Sequence, residues 1–429
     1  MGERPLREAV KVTIPYGRST RSFTVPAANL REILQPNPVK ASPGTARELI
    51  REAMANPVGS PRLEEMVRPS DTVAVMVDDL TRPTPASPIV HEILGRLQAA
   101  GVPERNVSIV VALGTHRAMT EEEIAQKLDA SIRSRIRVLN HDFRDPSKLV
   151  HVGTSADGIP VWINRSVVEA DVRIGVGNIV PHCVAGWSGG GKIIYPGVAG
   201  EQTVDGFHGE FGTALENRIG NIDAPVRKEI ERLVKYVGLE FIVNVILTGD
   251  GGIYRVVAGD YVRAHRAGVE HARAVYSVRS RSRTDIAVVS SFPADMDFWQ
   301  AGKAVYSGEL MVRDGGTLIL VTPCPDGVVH NHDLFSYMST PPETLLQEMA
   351  AGRTRDRAAA AVGVRIGMIL RRIRVVAVSD GLTRADIEGL GFRAAAGLQA
   401  AIDQGIDEYG DGCTISVLTH GGDLYPEAS

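Results

Sequence analysis

The stretch TVAVMVDD, Thr72 to Asp79, sets the architecture. Its run from Val73 to Val77 is apolar on both alternating faces and rich in β-branched residues, so it reads as a strand buried on both sides. It is followed by the polar loop LTRPTPAS, the helical stretch PIVHEILGRLQAAG and a second such run, VSIVVALG, from Val107 to Gly114. THRAM then leads into TEEEIAQKL, where Thr120 and Glu123 have the spacing of a capping box. DVRIGVGN, Asp171 to Asn178, repeats the pattern. Strands apolar on both faces and separated by helices predict a largely parallel sheet with helices on either side.

Outward from this core, VKVTIPYGRSTRSFTVP alternates apolar and polar residues around a glycine-containing turn and predicts a hairpin that covers a sheet edge. A Pro-rich connector and a helix near TARELIREAMA follow. EFIVNVILTGDGGIYRVVAGD adds two strands around a Gly-Asp-Gly-Gly turn, and DYVRAHRAGVEHARAVYSV is helical. The polar tract VRSRSRTD is the best domain boundary. Beyond it TDIAVVSS, GGTLILVTP, IRVVAVSD and CTISVLTHGG supply four more strands. The reading is two α/β domains, residues 1–279 and 280–429, each with a largely parallel sheet.

Composition limits the function classes. The 429 residues carry a net charge of −4 without a long single-sign run, which argues against a nucleic-acid groove or a membrane-binding surface. Cys183, Cys324 and Cys413 are scattered, odd in number and lack a CxxC, so neither a disulfide framework nor a zinc ribbon is implied. The N-terminal MGERPLREAVKVTIPYG has no apolar core of signal-peptide length, and no segment approaches the ~18 apolar residues of a membrane span. A cytoplasmic protein whose partners are small molecules or other protein chains is expected.

In open α/β sheets ligands bind beyond the carboxyl ends of the strands. The first strand ends in Asp78-Asp79 with Arg82 close behind, and the second in Gly114-Thr115-His116-Arg117. The third runs into PHCVAGWSGGGKIIYPG, Pro181 to Gly197, and a later strand end carries Asp295, Asp297, Gln300 and Lys303. Taken alone, the paired acids read equally as a helix cap and His116 as an ordinary loop histidine. Four such loops together favour a site. His265 and His271 read as surface or packing residues, His330 and His332 as a weak metal signal, and Cys183 as a small buried residue.

The glycine stretch imitates a nucleotide-triphosphate loop: GWSGGGK fits G-x-x-x-x-G-K, but Ile193 replaces the hydroxyl residue that ligates magnesium. Pro196 and two glycines then stand where that loop needs its long helix. Phosphate binding survives this objection, because consecutive glycines let the backbone approach an anion. Triphosphate hydrolysis does not.

Together DDLTRPTP, ALGTHRAMT, NHDF, GNIVPHCVAGWSGGGKIIYPGVAG with His208 downstream, and DFWQAGKA resemble the nickel-dependent lactate racemase family. The resemblance runs from Tyr16-Gly17 through Lys303 and keeps the intervals His182 to Lys192 to His208. It implies a two-domain α/β enzyme with an interdomain active-site cleft that racemises or epimerises a 2-hydroxy acid through a nickel-pincer nucleotide. In that family pattern Lys192 is the covalent link to the cofactor, His208 the nickel ligand, and His116 and His182 the acid/base pair. Ser188, Gly189, Gly190 and Gly191 hold the nucleotide phosphate with Asp79 supporting the pocket, while Arg82, Gln300 and Lys303 contact substrate. Cofactor-assembly proteins are implied as partners. Ala185 stands where the family tends to have serine and Trp299 where tyrosine is common, both with consequences for substrate choice. Two other functions fit parts of the sequence: an oxidoreductase with a nicotinamide-type cofactor, against which the missing GxGxxG counts, and a non-catalytic phosphate binder, which would need only the glycine loop.

Overall fold

A computed structural model describes residues 8–40 and 43–428. The first seven residues of the N-terminal segment, and Ala41 and Ser42 in the connector, lie outside the described residues. The chain divides into two units, one made of Pro38–Val275 and the other of Met1–Asn37 with Tyr276–Ser429.

In chain order the strands of the N-terminal segment are β1 (Ala9–Tyr16), β2 (Ser19–Pro26) and β3 (Leu30–Leu34). Those of the first unit are β4 (Val73–Asp78), β5 (Val107–Ala112), β6 (Arg137–Asn140), β7 (Leu149–Thr154), β8 (Pro160–Asn164), β9 (Val172–Asn178), β10 (Pro181–His182), β11 (Gly186–Trp187), β12 (Phe241–Leu247) and β13 (Ile253–Gly259). The main sheet has the order β13-β12-β9-β4-β5-β6. Every pairing in it is parallel except β12 with β13.

The double-faced apolar pattern is explained by what covers each side. Val73, Val75 and Val77 pack with Ile89, Ile93 and Leu97 of the helix Ala86–Ala99, whereas Ala74 and Met76 pack with Ile194, Tyr195 and Phe207 on the opposite face. The expected capping box is present on the helix Glu121–Lys127, with the Thr120 side chain accepting from the Glu123 backbone amide. β6 and the antiparallel pair β7–β8 carry no strong strand signal; β6 is only four residues, and β7 is half exposed.

The second unit continues with β14 (Ser277–Ser280), β15 (Thr284–Ser290), β16 (Val312–Val321), β17 (Arg374–Val378), β18 (Arg393–Ala394), β19 (Ile415–Leu418) and β20 (Tyr425–Ala428). Its sheet, ordered β18-β17-β16-β15-β19-β3, is parallel throughout. The N-terminal segment, which the sequence reading joined to residues 38–279, pairs here instead: β3 lies beside β19, Leu34 opposite Leu418. The β1–β2 hairpin covers a face of this sheet, not an edge, since Val12, Ile14, Phe23 and Val25 pack with Ile286, Val288 and Ile319. A five-residue strand completed by a partner near the other end of the chain leaves no local trace in sequence. No helix of the described residues is long and apolar enough to cross a membrane, and Cys183, Cys324 and Cys413 are buried and not joined in disulfides.

Candidate active site

Parallel pairing sends the loops after β4, β5 and β9 out of one edge of the first sheet. The chain runs from β4 outward through β5 to β6 and then returns to β9 on the other side of β4, so the order reverses between β4 and β9. Such a switch point opens a crevice between diverging loops, where ligands of α/β proteins bind. Strand order, which sequence does not give, therefore puts the Asp79, His116 and glycine loops around one place. Two of them are bonded directly: the Gly114 amide donates to the Gly197 carbonyl at 2.9 Å.

The paired acids have separate duties. Asp78 forms an ion pair with the buried Lys127 at 2.7 Å and accepts from the Thr84 hydroxyl at 2.5 Å. Lys127 also donates to the carbonyls of Asp79 and Arg82, at 2.9 Å each, and so latches the loop. Burial raises the Asp78 carboxyl above its usual range, and Lys127 opposes that shift. Asp79 instead meets His116, with Oδ2 2.6 Å from Nδ1, and its Oδ1 accepts from the Thr81 hydroxyl at 2.5 Å. Burial works to raise Asp79 as well, but the charge and hydrogen bond of His116, with Arg82 and Thr81, hold it below the ordinary carboxylate range. Arg82 donates to the Thr81 carbonyl at 3.1 Å and hydroxyl at 3.0 Å.

The glycine loop is pinned from behind. Arg227, fully buried, donates to the carbonyls of Trp187 and Gly189, and His265, also fully buried, donates from Nε2 to the Ser188 carbonyl at 2.8 Å. Three successive carbonyls thus face two buried nitrogen-rich side chains. Burial lowers Arg227 to about 10, which still leaves it charged at neutral pH. The Gly190 amide donates to Asn244 Oδ1 at 2.9 Å. A Cβ on Gly189, where φ is +77°, would lie 2.8 Å from Ile179 Cγ1, and one on Gly190 2.9 Å from His265 Cγ. The glycine run is therefore required by packing on its inner side. Ser188 is engaged internally as well: its hydroxyl donates to the Asn178 carbonyl at 2.9 Å and accepts from the Val180 amide at 2.8 Å. Lys192 sits on the short 3-10 turn Gly190–Ile193, half-buried, and no long helix starts there.

Each remaining histidine is fixed at Nδ1. His182 Nδ1 accepts from the amides of Val184 and Ala185 at 3.2 and 3.1 Å. His208, on the helix Glu201–Phe211, donates from Nδ1 to the Val204 carbonyl at 2.8 Å. That bond places the ring's lone pair on Nε2, the arrangement a metal-ligating imidazole needs. Among the described residues no group of three or more His, Cys, Asp and Glu side chains could hold a metal by itself.

In the second unit, Gln300 and Lys303 are bonded to each other at 2.6 Å. Asp297 caps the helix Phe298–Ala301 by accepting from the Gln300 amide at 2.9 Å, and Asp295 accepts from the Gly17 amide at 2.9 Å. Of the histidines read as a weak metal signal, His332 is paired with Asp356 at 3.0 Å and stacked on Trp299, ring centroids 4.1 Å apart.

Lys127, Arg227, Asn244 and His265 were not singled out from sequence as contributors to the site. Signals existed for three of them. Lys127 shares a helix face with Ile124, as Arg227 does with Ile230 and Val234, placing cations in apolar stripes, and Asn244 is the one polar residue of FIVNVIL. His265 and His271 divide as their six-residue spacing dictates: the first is buried, the second exposed.

Comparison with known proteins identifies the family. The models of the lactate racemase N-terminal domain and the lactate racemase C-terminal domain match residues 16–220 and 279–424. The lactate racemase of Lactiplantibacillus plantarum is 29% identical over 424 residues, covering 96% of this chain and 98% of that protein. The lactate racemase of Thermoanaerobacterium thermosaccharolyticum is 30% identical over 321 residues, 74% of this chain and 75% of that one. The solved structure of the lactate racemase apoprotein from the latter organism superimposes with a TM-score of 0.87 at 26% identity, covering 97% of this chain and 100% of that chain. A Thermotoga maritima protein, at 21% identity and a TM-score of 0.72, shares the fold. These matches define an α/β enzyme of the isomerase class, a racemase. The chain belongs to the lactate racemase family.

Proposed function

We propose that this chain interconverts the enantiomers of a 2-hydroxy acid, with lactate as the first candidate, and that it does so with a nickel-pincer nucleotide attached at Lys192. The observation that carries the reading is the His116–Asp79 pair, 2.6 Å apart, beside the glycine loop at the switch point of a parallel sheet. The names of the relatives supply the substrate.

The residues present fit the cofactor. His208 has its lone pair on Nε2, suited to nickel, and the remaining donors would be those of the organic cofactor. When bound, that group would supply an electron-poor acceptor for the hydride on the hydroxyl-bearing carbon, sparing the formation of a carbanion.

The chain's own residues do the rest. His116 and His182 are the candidates to handle the hydroxyl proton, work to which imidazole side chains are suited. Asp79 orients His116. Arg82, Gln300 and Lys303 are candidates to hold the substrate carboxylate, since cationic and amide N–H groups donate strongly to it. The Ser188 to Gly191 loop is the candidate phosphate site, with its Ser188 and Gly189 carbonyls turned toward His265 and Arg227.

The test begins with protein made alongside the cofactor-assembly proteins. Its denatured mass should show an adduct that Lys192→Ala lacks; absence of both adduct and nickel from the unmodified chain would sink the cofactor assignment. Loaded protein is then given enantiopure 2-hydroxy acids and the products separated on a chiral column. At least one acid should lose optical purity, and if none does the racemase reading fails.

A further inference from the structure

His116 and His182 look interchangeable in sequence, but their Nδ1 atoms have opposite partners. A backbone N–H can only donate, so the amides of Val184 and Ala185, 3.2 and 3.1 Å from His182 Nδ1, require a lone pair there. The neutral His182 ring therefore carries its proton on Nε2. A carboxylate can only accept, so Asp79 Oδ2 at 2.6 Å requires a proton on His116 Nδ1, and the neutral ring has its lone pair on Nε2. To take up a proton and become an imidazolium, His182 would have to place an N–H against two N–H groups and lose both hydrogen bonds. The His116 imidazolium, by contrast, keeps its Asp79 bond.

We propose that His116 is the proton carrier of the site and that His182 is a neutral Nε2–H donor that polarises the substrate oxygen, with Asp79 and the Val184 and Ala185 amides as the positioning groups that hold them in these roles. This rests on the racemase reading for its chemistry and replaces a symmetric acid/base pair with two unequal partners. The hydroxyl proton would pass to His116 Nε2, giving an imidazolium against ionised Asp79, and the hydride from carbon would be taken by the acceptor that the bound cofactor supplies. Racemisation then requires the ketone to present its opposite face to the returning hydride, while His116 gives its proton back to oxygen. His182 keeps its Nε2 proton throughout, as neutral imidazoles do where they serve as electrophiles.

Full-length protein labelled with ¹⁵N at histidine, with and without cofactor, reports the assignment directly at mildly alkaline pH, because protonated and bare ring nitrogens differ widely in chemical shift. Signals are assigned by their loss in His116→Gln and His182→Gln. The expected spectrum has a protonated Nδ1 in His116 and a bare Nδ1 in His182, with Asp79→Asn moving only the His116 signals. A protonated His182 Nδ1, or the same tautomer in both rings, overturns the proposal. In loaded enzyme, His182→Gln retains an amide donor and should lose about 10- to 100-fold in racemisation, whereas His116→Gln should fall below detection. Equal inactivation of two variants that still load cofactor also overturns it. Should the unmodified loaded enzyme racemise nothing, the functional reading fails, while the spectrum still decides the donor and acceptor roles.

Discussion

Both units are built on six-stranded, largely parallel sheets, yet they bury different polar residues. In the first, Asp79, Lys127, Arg227 and Glu229 are buried, with His141 and His265. Among the described residues of the second, the buried polar set is neutral, made of residues such as Asn29, Ser290, Gln300, Thr322 and Ser416. A parallel sheet does not require buried charge, since the second unit forms one without it. Desolvating an ion costs several kcal/mol before pairing offsets it. Lys127, Arg227 and His265 stand behind the loops at its switch point, where they bond to the Asp79 and Arg82 carbonyls and to the glycine loop. The contrast separates residues that make the fold from residues that shape a site.

The largest expected effect comes from removing one partner of a buried pair. Lys127→Met leaves the Asp78 carboxylate and the carbonyls of Asp79 and Arg82 without their ammonium group, and should lower stability to urea by about 3–5 kcal/mol. Ser290→Ala, which deletes a hydroxyl bond of 2.6 Å to the Pro15 carbonyl in the second unit, should lower it by about 1 kcal/mol. Similar losses in the two variants would break the comparison.

Acid should act on the first unit through its histidines. Burial lowers His141 to about 4 despite its bond to the Ala199 carbonyl, and His265 is lowered well below its ordinary value. A histidine depressed in the folded state is protonated first in the unfolded chain. Stability is therefore lost as pH falls from about 6.5 to about 4, by roughly 3 kcal/mol for His141. Asp79, whose carboxyl is held low, contributes stability above about pH 4 that is lost on further acidification, so both effects have the same direction. Thermal unfolding followed between neutral pH and about pH 4.5 should show a smaller decline in His141→Gln. An unchanged decline would place the acid-sensitive group elsewhere.

A smaller effect sharpens the comparison at the backbone. Gly189 and Gly327 have nearly the same φ, +77° and +75°, but a Cβ at 189 meets Ile179 and Asn244 within 3 Å, whereas at 327 nothing lies within 4 Å. Both alanine variants should carry the cost of a left-handed residue, about 1–2 kcal/mol. Gly189→Ala should exceed Gly327→Ala in urea unfolding, and equality would show that the loop yields more easily than its packing implies.

Local pattern made much of this protein legible. The β-branched runs at 73–77, 107–112 and 172–176 declared buried parallel strands because burial on both faces favours apolar side chains at successive positions. GWSGGGK followed by Ile193 excluded a magnesium-binding phosphate loop from chemistry alone. The roles of Lys127 and Arg227 were harder to see, because a cation is ordinarily expected in water and only its place in an apolar stripe betrays it. The glycine run invited a ligand reading, and the structure adds the packing against Ile179, Asn244 and His265 that requires it regardless of ligand.

By itself the sequence determined the α/β class, the strand ends that carry polar residues, and the ordered motifs of a family, since each depends on neighbouring residues or fixed spacing. Tertiary structure alone decided that β3 completes the second sheet, that the strand order reverses between β4 and β9, and that Asp79 faces His116 while two amides face His182. These are pairings between residues distant in the chain, or choices of hydrogen-bond partner set by a loop's course. Side-chain identity does not encode them, because the same histidine accepts at Nδ1 beside an amide and donates there beside a carboxylate.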